Sequence, residues 1–428
     1  MTTFDLILRR CQLQNWREQQ DIAIAAGTIV AIEPHIAAET REEIDADGHL
    51  TIPPFVESHI HLDSAYTAGE PRWNQSGTLF EGIEIWRERK QSLSLEDVQA
   101  RAIAALQAQA AQGVLHVRSH ADVSESNLTA LKGLLAVRDR VKDWIDLQVV
   151  AFPQDGIYSN PGQVERMEEA LELGADAVGG IPHFELTRED GVRSIEQIFD
   201  WAERYNALID VHCDEIDDDQ SRFLEVMVAH AMRRDMGDRV TASHTTAFHS
   251  YNNAYAGKLL GFIRRTPLNF VANPLINITL QGRTDTYPKR RGVTRVKELW
   301  EQGTNVSFGN DCIRDPWYSL GTGNMLDVAH MAVHLCQMTG RDQVRACFDM
   351  VTCNGAKTLN VGDRYGIAVG KPASLVVLDA PDEFEAICKQ ATVLWVVSKG
   401  RAIARTVPPQ VHLAIQTHDP LVATVARS

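Results

Sequence analysis

Between Thr51 and Asp311, apolar stretches of β type recur along the chain, and segments with apolar residues at helical spacing lie between them. The strand-like runs end near His61, His120 (Val114–His120), Phe152 (Leu147–Phe152), His183, His212 (Leu208–His212), His244 (Val240–His244), Asn273 and Asp311 (Val306–Asp311). Helical spacing fills Leu95–Gln112, Glu125–Val141, Gln163–Leu173, Ile195–Tyr205 and Gln220–Arg234. Such an alternation of eight strands with helices predicts a parallel barrel with outer helices.

Outside that region only short strands are legible. Phe4–Leu13, Asp21–Ala25 and Thr28–Ile32 are separated by turn signals that include Gly27, with Asp47-Gly48 following. At the far end Ala373–Asp379 and Thr392–Ser398 are strand-like, and Lys399-Gly400 makes a hairpin turn. Neither set is long enough to form a domain alone. The expected fold is therefore α/β: a distorted (β/α)8 TIM barrel over residues 53–365, inserted into a small β-sandwich domain built from residues 1–52 and 366–428, tail included.

Composition narrows the function. The chain has 428 residues, 44% hydrophobic and 23% charged, in the range of soluble globular enzymes. A net charge of −15 argues against a nucleic-acid polymer or an anionic membrane as partner, since both require clustered Lys and Arg. The seven cysteines form no C-x-x-C pair and read as reduced thiols of a cytoplasmic protein. There is no basic, apolar leader at the N-terminus and no run of the ~18 apolar residues that a membrane span requires.

The chemistry is concentrated at strand ends. Ile52–Asp63 is an apolar run carrying His59 and His61 at i and i+2, so a strand directs both imidazoles to one side. Two imidazoles on one rigid strand suit zinc or divalent iron. Taken alone the pair would fit strand histidines satisfied by neighbouring carbonyls. However, His212, His244 and Asp311 also end predicted strands, where barrels place their catalytic groups. His212 is the third ligand expected and Asp311 the carboxylate ligand, which leaves one position open for water. Glu215, three residues past His212, is placed to shuttle protons, and His244 to hold or deprotonate the water.

Several longer segments carry a family likeness: Pro53–Asp63, Trp73–Gly82, Ala151–Gln154, Val211–Glu215, Ala242–Thr246 and Asp315–Tyr318. With these the chain resembles the amidohydrolase superfamily, and within it the bacterial cytosine deaminases, over nearly its whole length. The resemblance implies one divalent metal ion, Fe2+ or Zn2+, on His59, His61, His212 and Asp311. The stretch Gly179–His183 lacks the lysine that binuclear relatives carry. It also implies that Gln154 hydrogen-bonds the amide edge of a pyrimidine base, that the Leu79 carbonyl assists, and that Trp317 walls the pocket. A homo-oligomer acting in pyrimidine salvage is expected on the same ground. Glu215 would protonate ring N3 while His244 and Asp311 take the proton of the attacking water; addition at C4 then expels ammonia.

One position departs from the family pattern. Cytosine deaminases usually follow the metal aspartate with a second acid, whereas this chain has Cys312. Replacing an acid by a thiol removes a group that would be desolvated against a methyl, and burying that methyl contributes roughly 0.8 kcal/mol. The chain thus resembles a subgroup that accepts 5-methylcytosine and forms thymine, with cytosine also turned over. Three other readings compete: an isoguanine-like amidine substrate, a cyclic amide hydrolase that opens the ring, and a non-catalytic scaffold. The complete ligand set argues against the scaffold, and Gln154 with Glu215 against ring opening. His120, His183 and Asp63 are expected as supporting groups around the site, Trp86 and Trp144 as core, His330 and His334 as a packed or solvated pair, and Arg72, Arg283 and Arg290 as loop residues near the pocket.

Overall fold

A computed structural model describes residues 4–408; Met1–Thr3 and the expected tail, residues 409–428, lie outside the described residues. The N-terminal part contributes β1 (Phe4–Leu13), β2 (Gln20–Ala25), β3 (Thr28–Glu33), β4 (Thr40–Asp45) and β5 (Leu50–Ile52). β1 is the hub. It runs antiparallel to β2, its first half pairs in parallel with β4 and its last two residues with β5. Between those halves the register breaks, where Arg10 takes φ 53°.

The barrel follows, as β6 (Phe55–Ile60), α1 (Leu79–Arg89), α2 (Leu95–Ala111), β7 (Val114–Asp122), α3 (Thr129–Val141), β8 (Asp146–Phe152), α4 (Gln163–Glu172), β9 (Ala177–Gly180) and α5 (Arg188–Tyr205). Its second half comprises β10 (Leu208–Cys213), α6 (Phe223–Arg234), β11 (Val240–His244), α7 (Ala247–Ser250), α8 (Asn253–Ile263), β12 (Asn269–Ala272), α9 (Pro274–Leu280), α10 (Val296–Glu301) and β13 (Asn305–Phe308). Helices α11 (Met325–Leu335), α12 (Arg341–Met350) and α13 (Cys353–Thr358) complete the outer layer. The chain then returns to the small sheet through β14 (Leu375–Leu378), α14 (Glu383–Lys389), β15 (Val393–Ser398) and β16 (Arg401–Arg405). Antiparallel pairing of β14 with β5 joins the two terminal parts into one sheet system.

The eight barrel strands are parallel and neighbour one another in sequence order from β6 to β13. Closure between β13 and β6 is a single bridge from Ile60 to Asp311. Apolar side chains from strands and helices form one continuous core, including Phe55, Leu106, Phe199, Phe270 and Phe348. A separate core of Leu6, Leu8, Ile22, Ile24, Leu375 and Val397 fills the small domain. Several helices begin where a side chain accepts an orphan N–H: Thr78 for α1, Ser94 for α2, Thr187 for α5, Asn252 for α8.

Some boundaries differ from the sequence expectation. The segment expected to be helical from Gln220 starts only at Phe223, because Asp214 accepts the N–H groups of Phe223 and Leu224 at 3.0 and 2.8 Å. Similarly, α3 starts at Thr129 rather than Glu125, since the Glu125 carboxylate turns back onto the N–H groups of Asn127 and Thr129. The fourth barrel strand stops at Gly180, and His183 lies in the following 3-10 turn, Pro182–Phe184. β4 and β5 were not expected; β4 is a mostly exposed polar strand, Thr-Arg-Glu-Glu-Ile-Asp, without apolar alternation. Trp86 is fully buried as expected, whereas Trp144 is only partly buried at the edge of the barrel core.

Candidate metal centre and active site

His59 lies in β6 and His61 just beyond it, His212 in β10, His244 at the end of β11, and Asp311 three residues past β13. At three of these ends the backbone turns out of the sheet in the left-handed region, with φ 65° at His244, 51° at Asp214 and 70° at Asp311. The turn at Asp214 presents Glu215 to the interior, and Asp214 itself is consumed by capping α6.

The donor atoms converge. His61 Nε2 and His212 Nε2 are 3.0 Å apart, and Asp311 Oδ1 lies 3.8 Å from His59 Nε2 and 3.6 Å from His61 Nε2. His59, His61 and His212 offer ligand atoms all within 4.8 Å of one another, as do His59, His244 and Asp311. Among the described residues the buried His59 Nε2 has no hydrogen-bond partner, which an ion on these donors would supply. Burial, reinforced by neighbouring imidazoles, holds all three histidines well below the usual imidazole pKa, in the neutral form that ligates. The residues therefore fit a divalent cation. The end of β9 offers no lysine to bridge a second ion: Gly179 and Gly180 are followed by Ile181, which lines the pocket.

A chain of buried groups supports the ligands from below. Ser243 Oγ lies 3.0 Å from His59 Nδ1 and donates to Asp210 Oδ1 at 2.6 Å; Arg118 donates to Asp210 Oδ2 at 3.0 Å. His120 packs its ring 4.1 Å from that of His59, with Nε2 3.6 Å from Asp210 Oδ1. It stands behind the ligands, outside the pocket. His183 does not line the pocket either; burial pushes its pKa down to about 4. Asp63 accepts from Asp122 N–H at 2.8 Å and so ties β6 to β7.

Above the donors opens a pocket lined by His61, Leu79, Gln154, Ile181, His212, Glu215, Ile276, Leu280, Asp311, Cys312 and Trp317. Gln154 is 6% exposed, and among the described residues its amide has no protein hydrogen-bond partner. His244 sits beneath Glu215, with Nδ1 3.2 Å from Glu215 Oε1 and Nε2 3.6 Å from Asp311 Oδ2. Burial, and then the charge of Asp311, raises the pKa of Glu215 well above the ordinary carboxylate range. Cys312 is buried and packed with Ile276 and Leu280, and Leu79, Trp317 and Tyr318 lean on that cluster. Burial and two flanking aspartates push its thiol well up, which removes it as a nucleophile.

Sequence reasoning missed Ile181, Ile276, Leu280, Phe152, Asn273 and Asn277. Phe152 stacks on His212 with ring centroids 4.1 Å apart. Asn277 Oδ1 accepts the Asn273 N–H at 3.1 Å, which leaves its Nδ2 to approach His244 Nδ1 at 3.2 Å. The Asn273-Pro274 step was a usable signal, because proline in the first turn starts a helix and brings Ile276 to the pocket. The histidine pair His330 and His334 lies on α11, outside the barrel and away from the pocket lining. Arg72 pairs with Glu81 of α1, Arg290 with Asp285, and Arg283 passes over Gly77; none lines the pocket.

Residues 42–404 match the amidohydrolase family. The structure superimposes on 5-methylcytosine deaminase from Klebsiella pneumoniae liganded with 5-fluorocytosine at a TM-score of 0.92 and 49% identity, covering 95% of this chain and 99% of that one. N-isopropylammelide isopropyl amidohydrolase from Pseudomonas sp. (strain ADP) is 30% identical over 94% of this chain and 98% of its own length. Pterin deaminase from Rhizobium rhizogenes is 28% identical over 91% and 88% respectively. Among the described residues no helix is long and apolar enough to cross a membrane.

Proposed function

Because the chain belongs to the amidohydrolase family, we propose that it hydrolyses the C4 amine of 5-methylcytosine to give thymine and ammonia, with cytosine as a second substrate. The observation that carries this reading is the division of one pocket into two faces. Glu215, Gln154, His61, His212 and Asp311 form the polar face, and Ile276, Leu280 and Cys312 pack into an apolar wall beside Asp311. The likeness to 5-methylcytosine deaminase from Klebsiella pneumoniae supports it.

Each group then has a task. Gln154, with both an N–H donor and a carbonyl acceptor, reads the amide edge of the ring, and Leu79 and Trp317 flank it. Glu215, whose acid form is favoured by burial, donates its proton to ring N3 and draws electron density from C4. His244 and Asp311 take up the first proton of the attacking water. After addition at C4, the Glu215 carboxylate takes the second from the new hydroxyl and passes it to the exocyclic nitrogen, which leaves as ammonia, and the proton held by His244 and Asp311 restores the acid form of Glu215. A divalent ion held by His59, His61, His212 and Asp311, Fe2+ or Zn2+, would lower the pKa of the attacking water. The wall of Ile276, Leu280 and Cys312 is left for the C5 substituent, where it buries a methyl and offers no partner to a charged or strongly polar group.

Domain limits near residues 52 and 365, a cytoplasmic homo-oligomer and a role in pyrimidine salvage belong to the same proposal. Its test is product analysis after incubating metal-loaded protein with 5-methylcytosine. Equal amounts of thymine and ammonia are expected; a ring-opened acid without ammonia would make the protein a cyclic amide hydrolase instead.

A further inference from the structure

Resting on that reading of Gln154, we propose that Lys90, which lies outside the pocket, is a positioning residue for it and acts through Asp155. Gln154 occupies a tight turn after β8: its own N–H donates to the Phe152 carbonyl at 3.1 Å, and the Gly156 N–H to the Pro153 carbonyl at 2.9 Å. The far side of the turn is held by Glu185, which accepts the N–H groups of Ile157 and Ser159 at 2.6 and 2.8 Å, whereas these short-range bonds alone leave the Gln154 side free to shift. The next residue holds it. The Asp155 N–H donates to Ser124 Oγ at 3.0 Å, and its carboxylate accepts Lys90 Nζ at 2.7 Å and Arg87 at 2.8 Å.

Lys90 is the inner of the two cations, with a side chain only 8% exposed, and it is shared. The same Nζ donates to Asp122 Oδ2 at 3.1 Å, and Asp122 anchors Trp86 Nε1 at 2.8 Å and the Ser124 N–H at 2.7 Å. One ammonium therefore bridges β7 to the turn that carries Gln154. Its loss would leave two carboxylates facing each other in a poorly hydrated cleft, and their repulsion would move the Asp155 side of the turn outward. The base of the bridge is firm because Trp86, one turn earlier, backs Trp317 at 6.3 Å between ring centroids. Gly82 permits that approach, since a Cβ there would meet Trp317 Cδ1 at 2.3 Å. The end of α1 thus sets both the Trp317 wall and the Gln154 amide.

The experiment is a double-mutant cycle on metal-loaded enzyme turning over 5-methylcytosine. Lys90→Met is expected to raise KM about 10- to 100-fold, the scale of a misplaced contact, with kcat per bound metal nearly unchanged. In a Gln154→Ala background the same change should alter KM little, and Asp155→Asn, which keeps the shape of the turn, should reproduce the KM effect in weaker form. A loss of folded protein would instead lower activity per milligram at unchanged KM. An unchanged KM in both Lys90→Met and Asp155→Asn, or an equal rise with and without Gln154, overturns the proposal. If Lys90→Met does not fold, Asp155→Asn alone decides it by the same criterion. Gln154→Ala without kinetic effect would overturn the underlying reading of Gln154, an outcome visible before Lys90 is altered.

Discussion

The N–H of His61 donates to the carbonyl of Asp311 at 2.9 Å, and their side chains stand 3.6 Å apart. This backbone contact helps close the barrel and spaces two candidate metal ligands. The return bond, from the Asp311 N–H to the His59 carbonyl at 2.9 Å, makes the closure two-pronged. The seam held by a single bridge thus lies at the candidate metal centre.

Support from beneath the ligands should matter nearly as much as the ligands. Ser243 touches His59 Nδ1 and no solvent, so Ser243→Ala leaves that nitrogen without its partner. Metal affinity is expected to fall about 10- to 100-fold, measured by competition with a chromogenic chelator, while the circular dichroism spectrum stays unchanged. Wild-type affinity in the variant would contradict the role of this contact.

Glu215→Gln removes the proposed proton donor and leaves the candidate metal ligands in place. The kcat should fall about 10²- to 10⁴-fold at unchanged metal content. The pH dependence follows from the sign of the shift: burial and Asp311 raise the pKa of Glu215, so the acid form persists to higher pH than in an ordinary carboxylic acid and is lost as pH rises through that raised value. The alkaline limb of kcat/KM should therefore belong to Glu215. An identical alkaline limb in Glu215→Gln would assign it elsewhere.

Acid stability should depend on Asp146, which accepts Lys399 Nζ at 3.0 Å and lies 3.3 Å from His116 Nδ1, at the joint between barrel and small domain. Burial opposes its ionisation, but His116 and Lys399 outweigh it and hold the pKa below the ordinary carboxylate value. Such a group contributes stability that is fully present above the unfolded-state pKa and is lost as pH falls through the folded value. Asp146→Asn should lower Tm near neutral pH and flatten its decline below about pH 4. Parallel Tm curves for both proteins would contradict this.

The legible part of the sequence was its periodicity. Residues His59, His61, His212 and His244 were found because a two-residue period and strand ends predict which side chains share the mouth of a barrel. Ile276 and Leu280 carry no such mark, being ordinary apolar residues until α9, starting directly after β12, turns them toward Cys312. Lys90 was hidden for a related reason: its partners Asp122 and Asp155 lie 32 and 65 residues away and meet it only when β7 and β8 lie side by side. Asp214 and Glu215 are adjacent acids in the sequence, and only the structure separates the capping role of the first from the place of the second in the pocket lining. Polar β4 could not be seen because its pairing with β1 is set by the backbone, without an apolar alternation to mark it.

The central claim is a pocket matched to a 5-methylated pyrimidine. The direct measurement is ammonia release by metal-loaded protein from 5-methylcytosine and cytosine side by side, expressed as the ratio of kcat/KM values, for the wild type and Cys312→Asp. The wild type should favour 5-methylcytosine, and Cys312→Asp should shift the ratio toward cytosine by about 10- to 200-fold, the range that one methyl contact supports. Turnover of cytosine alone by the wild type, or a ratio unmoved by Cys312→Asp, would contradict the account.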